Sequence, residues 1–138
     1  MAWTTPKTNW KATDYFNYSD YNRIVGNLNY LKIMADELFM EVDYESMATG
    51  KTYESYFYAS EMNAIENNLE SLNLASYNLD IGIKTTYKIN GSTPLYSEFN
   101  RIESACLRFY NTFIVHKENL PHLAIRLGNA RTFCVART

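Results

Sequence analysis

Apolar side chains recur at alternating steps of three and four through three stretches of this chain of 138 residues. In the first they fall at Tyr21, Ile24, Leu28, Leu31, Ala35 and Leu38. The second repeats the offsets at Met62, Ile65, Leu69, Leu72, Ser76 and Leu79, and the third at Phe99, Ile102, Cys106, Phe109, Phe113 and His116. Such spacing is a heptad seam, and it lays each set along one stripe of a helix. Only Ser76 and His116 are polar, and both sit in final turns, where a seam can open to water. The pattern predicts a mainly α fold: a three-helix bundle of repeated heptad-patterned helices near residues 19–41, 60–80 and 97–117. Connections of about 17–20 residues allow the seams to close within one chain, although coiled coils between chains would show the same spacing.

Each helix carries the same opening. Ser19-Asp20-Tyr21-Asn22-Arg23-Ile24, Ser60-Glu61-Met62-Asn63-Ala64-Ile65 and Ser97-Glu98-Phe99-Asn100-Arg101-Ile102 read Ser, acid, large apolar, Asn, Arg or Ala, Ile. The Asn-to-Asn intervals are 41 and 37 residues, in the range of internal repeats. Ser19, Ser60 and Ser97 are candidate N-caps, and the acids that follow suit the positive end of the helix dipole. In that frame Asn22, Asn63 and Asn100 stand at N3 and support the cap. Alternatively they are buried amides that bond a neighbouring helix or loop and set register. The same frame puts Arg23 over Tyr18 and Arg101 over Tyr96 as cation–π pairs.

The flanks follow other patterns. Residues 1–18 hold no period and read as an extended N-terminal arm, with Trp3, Trp10, Tyr15 and Phe16 as candidate interface residues. Ile83–Ile89 followed by Asn90-Gly91 reads as a strand and tight turn, and Gly82 as the stop of the second helix. Residues 118–138, where Leu123, Ile125 and Leu127 alternate and Gly128-Asn129 precedes Phe133 and Val135, read as a short β-hairpin. Phe133 and Val135 join the candidate interface, because an isolated hairpin is marginal in water and needs something to pack on.

Composition narrows the function. The length suits one domain, and 46% apolar residues suit a globular one. Aromatics reach 15%, including 12 Tyr, a side chain favoured at interfaces. Net charge is −2, which argues against a nucleic-acid partner. The charge is unevenly spread: residues 1–100 hold 7 basic and 13 acidic side chains, residues 101–138 hold 6 and 2. Two cysteines, Cys106 and Cys134, make no disulfide framework. No apolar run approaches a membrane span and no secretory signal is visible at the N-terminus. Neither zinc-ligand spacing, a phosphate loop nor a nucleophile elbow occurs, so the expectation is no enzyme, no metal and no cofactor.

The opening Trp3-Thr4-Thr5-Pro6-Lys7-Thr8-Asn9-Trp10, then Asp14-Tyr15-Phe16-Asn17 and Asp20-Tyr21-Asn22-Arg23-Ile24, resembles tail-associated virion proteins of bacteriophages and prophages of Gram-positive bacteria. Tyr96-Ser97-Glu98-Phe99-Asn100-Arg101-Ile102-Glu103 and Arg126-Leu127-Gly128 are similar to the same family, while Ala64 departs from its Arg. The resemblance implies a non-enzymatic virion structural protein of the tail, baseplate or fibre-attachment region. It implies synthesis in the bacterial cytoplasm, residence in the virion, homo-oligomers, and other virion structural proteins as partners. A carbohydrate-binding protein at the tail tip is the alternative, with Tyr53, Tyr56 and Tyr58 stacking on a cell-surface glycan.

Overall fold

The computed structural model describes residues 3–52, 58–88 and 94–134, with side chains through residue 119. Three helices pack together: α1 (Tyr18–Glu37), α2 (Ala59–Ala75) and α3 (Tyr96–Cys134). Among the described residues there is no strand. The residues before each helix, 3–17, 38–52 and 76–88, run as irregular arms over the helices.

Most predicted stripe positions lie in the core, which also takes in Trp10, Val25, Met34, Tyr87 and Ala105 from outside the stripes. Tyr21, Ile24, Leu28, Leu31 and Ala35 on α1, Met62, Ile65, Leu69 and Leu72 on α2, and Phe99, Ile102, Cys106, Phe109 and Phe113 on α3 are all buried. Ser76 and Leu79 lie past the end of α2 and are only half-buried. The seams close within one chain, since these side chains leave water without a second copy.

The helices run in the same direction. Arg23, in the second turn of α1, reaches Glu103 near the start of α3, and Arg101, in the second turn of α3, reaches Glu66 at the middle of α2. At the far ends Lys117 of α3 meets Glu37 of α1, and Tyr77, just past α2, hydrogen-bonds His116. Three parallel helices require each connection to travel back the length of the bundle, and that is what the arms do.

Several boundaries correct the sequence reading. Ser19, Ser60 and Ser97 are not N-caps. Asn17 caps α1, accepting from the Ser19 and Asp20 amides, while Asp20 takes the Asn17 N–H at 3.1 Å. In α2 Glu61 takes the Tyr58 N–H, so the acid of the repeated motif, not its Asn, fills N3. The helix α1 stops at Glu37 through a left-handed Phe39 (φ 63°), whose N–H bonds Asp36 while that of Met40 bonds Ala35. These are the two bonds of a Schellman stop. The helix α2 ends at Ala75, well before Gly82, which instead lies against Arg101. Residues 83–88 form no strand, and Asn90-Gly91 lies outside the described residues.

The C-terminal β-hairpin is also corrected: α3 continues through 118–134 as helix. The alternation of Leu123, Ile125 and Leu127 is too short to decide, because Leu120, Leu123 and Leu127 also satisfy helical spacing. Extending an existing helix needs no new nucleus. Phe133 therefore sits in helix, and Val135 lies outside the described residues.

Candidate interaction surface

The repeated asparagines grip the arms. Asn100 accepts the Trp10 N–H at 2.8 Å and donates to the Trp10 carbonyl at 3.0 Å. Asn22 holds Lys51 in the same way at 3.0 and 2.8 Å, and Asn63 holds Tyr87 at 2.7 and 2.8 Å. The assignment is cyclic: the arm before α1 lies on α3, the arm before α2 on α1, and the arm before α3 on α2. Five residues further along, Asn27 clamps Thr4 and Asn68 clamps Glu45, each on the arm preceding its own helix. Ala105 stands at that offset in α3. An amide side chain presents one acceptor and one donor side by side, and so satisfies both backbone groups of a single extended residue.

The ion pairs follow the same cycle. Arg23 binds Glu103 through Nε (2.7 Å) and Nη2 (2.8 Å). Glu103 is 1% exposed and also accepts the Lys7 N–H (3.0 Å) and the Trp10 Nε1–H (2.6 Å). Arg101 pairs with Glu66, and Tyr87 donates its hydroxyl to that carboxylate at 3.0 Å. The guanidinium groups thus serve carboxylates rather than Tyr18 and Tyr96; the cation–π contacts among the described residues come from Lys7 on Trp10 and from Lys51 on Tyr21 and Tyr58. Side-chain hydrogen bonds and attraction to Glu103 hold the Arg23 pKa above its ordinary value against the opposing effect of burial. For Arg101 burial is the largest influence and lowers the pKa, but the bonds to Glu66 and Glu98 outweigh it.

The sequence-nominated aromatics divide. Trp10 is buried, tilted against Phe99 and Phe16; Phe16 stacks on Phe99 at 4.4 Å, and Trp3 stacks on Tyr110 at 4.1 Å. These three use their rings inside the chain. Tyr15, by contrast, is 89% exposed. Tyr18, Tyr58, Leu95 and Tyr96 are exposed as well; of these the sequence reading named only Tyr58 as a binding side chain, for a glycan. All five lie at the starts of helices that run parallel, so they share one end of the bundle. Ser19, Ser60 and Ser97 are exposed in the same first turns. Tyr53 and Tyr56 lie outside the described residues.

Cys106 is buried, and burial pushes its thiol pKa up, away from reactivity. Among the described residues no cluster of His, Cys, Asp and Glu could hold a metal ion, and no helix is long and apolar enough to cross a membrane. Comparison with protein-family models, with curated proteins and with solved structures finds no match to this chain.

Proposed function

We propose that this chain is a structural protein of a bacteriophage virion, acting in the tail, baseplate or fibre-attachment region as a non-enzymatic connector between subunits. We read the three seams as one heptad-patterned segment written three times, which gives a rigid post. The observation that carries the proposal is the set Tyr15, Tyr18, Tyr58, Leu95 and Tyr96, exposed together at one end of that post. Aromatic side chains of this kind, apolar in body and polar at the tip, are what protein interfaces favour. The neighbours are other virion structural proteins, and copies of the chain itself in a symmetric oligomer. Neither nucleic acid nor membrane is needed by this reading, and the chain resides in the virion after synthesis in the host cytoplasm.

The test is mass and co-purification. The chain is expected to form a complex larger than its 16.1 kDa, alone or with tail proteins, and a Tyr15→Ala, Tyr58→Ala, Tyr96→Ala triple variant should stay folded but lose it. A strictly monomeric wild type that binds no virion component ends the proposal. A second reading, glycan binding at a tail tip, is favoured by the exposure of Tyr58, 58% open to solvent. It requires cell-wall binding that Tyr58→Ala abolishes.

A further inference from the structure

Exposed charge is sorted by place on this molecule. At the starts of the helices the described carboxylates already have cations. Asp14 pairs with Lys7 at 3.2 Å, Asp20 with Arg23 at 2.9 Å, Glu61 with Lys51 at 2.9 Å and Glu98 with Arg101 at 3.0 Å. Two lysines are left over. Lys11 and Lys88 each follow an arm residue that a helix clamps, Trp10 and Tyr87, and both are exposed. Among the described residues neither ammonium group has an ion-pair partner. Three parallel helix N-termini add the positive ends of their dipoles. The end that carries Tyr15, Tyr18, Tyr58, Leu95 and Tyr96 is therefore positive as well as aromatic.

The opposite surplus lies on the arm before α2. Glu41, Asp43 and Glu45 are exposed, while Val42 and Tyr44 between them are half-buried. That is the alternation of an extended segment lying along a surface. Glu41 and Asp43 have no hydrogen bond or ion pair among the described residues, and Glu45 is held at one oxygen by Asn67. From residue 36 to residue 50 the sequence contains neither Lys nor Arg. Partly buried Met40, Val42 and Met47 leave apolar surface along the same row.

The positive end faces along the bundle axis and the acidic row lies on the flank, so the two cannot meet within one chain. We propose that they meet between copies: the aromatic, lysine-bearing end of one copy seats on the acidic row at residues 41–45 of a second copy. The proposal rests on reading that end as an interface, and it names what covers it. Complementary charge favours this pairing, whereas two positive ends set face to face would bring lysines against lysines. The apolar surface of the row gives the rings something to pack on. Such a contact is heterologous. Each copy keeps one free surface of either kind, so copies add until a ring closes or a filament grows.

The test uses two variants of the full chain, Lys11→Glu with Lys88→Glu and Glu41→Lys with Asp43→Lys, followed by sedimentation velocity. All four positions are exposed, and circular dichroism should show wild-type helix in both variants. The wild type should self-associate, and less so as salt rises from about 0.01 M to about 0.1 M, which cuts the screening length from about 30 Å to about 10 Å. Each variant alone should associate at least about tenfold more weakly. Mixed, the two should form a one-to-one dimer and nothing larger, because a single wild-type pair of surfaces remains between them. A chain carrying all four substitutions should assemble again. A mixture that stays monomeric overturns the proposal. So does a lysine variant that assembles like the wild type, the result expected if the row instead takes a neighbour's α3 extension, whose sequence holds Arg126 and Arg131. A wild type that is monomeric at low salt overturns it as well; if that monomer still co-purifies with tail proteins, the interface reading survives and only this inference falls.

Discussion

Asn100→Ala should loosen the arm that precedes α1 and leave the other two arms as they were. The Asn100 amide makes two bonds, both to Trp10. A backbone group stranded in the interior costs about 1–3 kcal/mol. Both bonds are only partly buried, so water recovers part of the loss and the total should be about 1–3 kcal/mol. Against this, Trp10 is 4% exposed, and an aromatic of its class buries about 150–250 Å². At about 25 cal/mol per Å² that burial contributes roughly 4–6 kcal/mol. The arm therefore stays docked but opens more often. Alanine is also the better helix former, which offsets part of any change in global stability, so local opening is the sharper readout. A shift of 1–3 kcal/mol corresponds to about 5- to 150-fold faster amide exchange, at roughly tenfold per 1.4 kcal/mol. Hydrogen exchange resolved by peptide should show that acceleration in residues 3–16 alone. Asn22→Ala should act on residues 38–52, and Asn63→Ala on 76–88. Acceleration in the arm preceding the mutated residue's own helix, or in all three arms equally, would refute the cyclic assignment.

Other outcomes follow from the same contacts. Phe39→Gly should raise stability by about 1 kcal/mol, because a left-handed β-carbon costs roughly 1–2 kcal/mol and Phe39 is 90% exposed; a urea midpoint that falls would contradict this. Val25→Glu should cost about 3–5 kcal/mol as an unpaired buried charge, and adding Ala64→Arg should recover a measurable part of it, whereas additive losses would break the proposed equivalence of the three junctions. Burial raises the Tyr21 pKa to about 12, and burial first, then the Glu66 charge, raises that of Tyr87. The folded state holds both phenols neutral, so their contribution is complete below pH 10 and is lost as pH climbs toward 12 and beyond; phenolate absorbance should appear together with unfolding, and ionisation of every tyrosine in the still-folded protein would speak against it. At Glu98 burial raises the pKa, but hydrogen bonds from Thr85 and Arg101 outweigh it and leave the carboxyl below its usual value. That stability is present above the ordinary carboxyl range and fades as acid protonates the group, so Glu98→Gln should flatten the acid limb of the thermal midpoint.

The helices and their buried stripes were legible because a three–four spacing is visible along one segment. Helix starts were less so. Asn17 and Ser19 are both good caps, and Asn17 with Asp20 three residues on is a capping-box pair that could have decided between them. The role of the repeated Asn was hidden for a different reason. Spacing along one helix places a side chain on a face but does not say what crosses that face, and the residue held by Asn100 lies 90 positions away. A signal was present all the same: Thr4 and Glu45, like Asn27 and Asn68, are separated by the same 41 residues as Asn22 and Asn63. The exposed end of the bundle could not be read from the chain, because it depends on the helices being parallel, and the period of a stripe carries no direction.

The one irregular copy argues most strongly that the cycle is real. If each helix passes its Arg to the Glu of the next, α1 gives Arg23 to Glu103 and α3 gives Arg101 to Glu66. By the same offsets, the third junction would join position 64 of α2 to the α1 residue three beyond Asn22. That residue is Val25, and it is buried, while position 64 is Ala. Arg and Glu are therefore both missing from the same junction, although they sit 39 residues apart in sequence. Losing either alone would strand a buried charge at about 3–5 kcal/mol, whereas replacing both by apolar groups is often neutral or stabilising. An Ala64 read by itself looks like a defective copy of the motif; set beside Val25 it is half of a matched exchange, in which the Arg and the Glu are absent together.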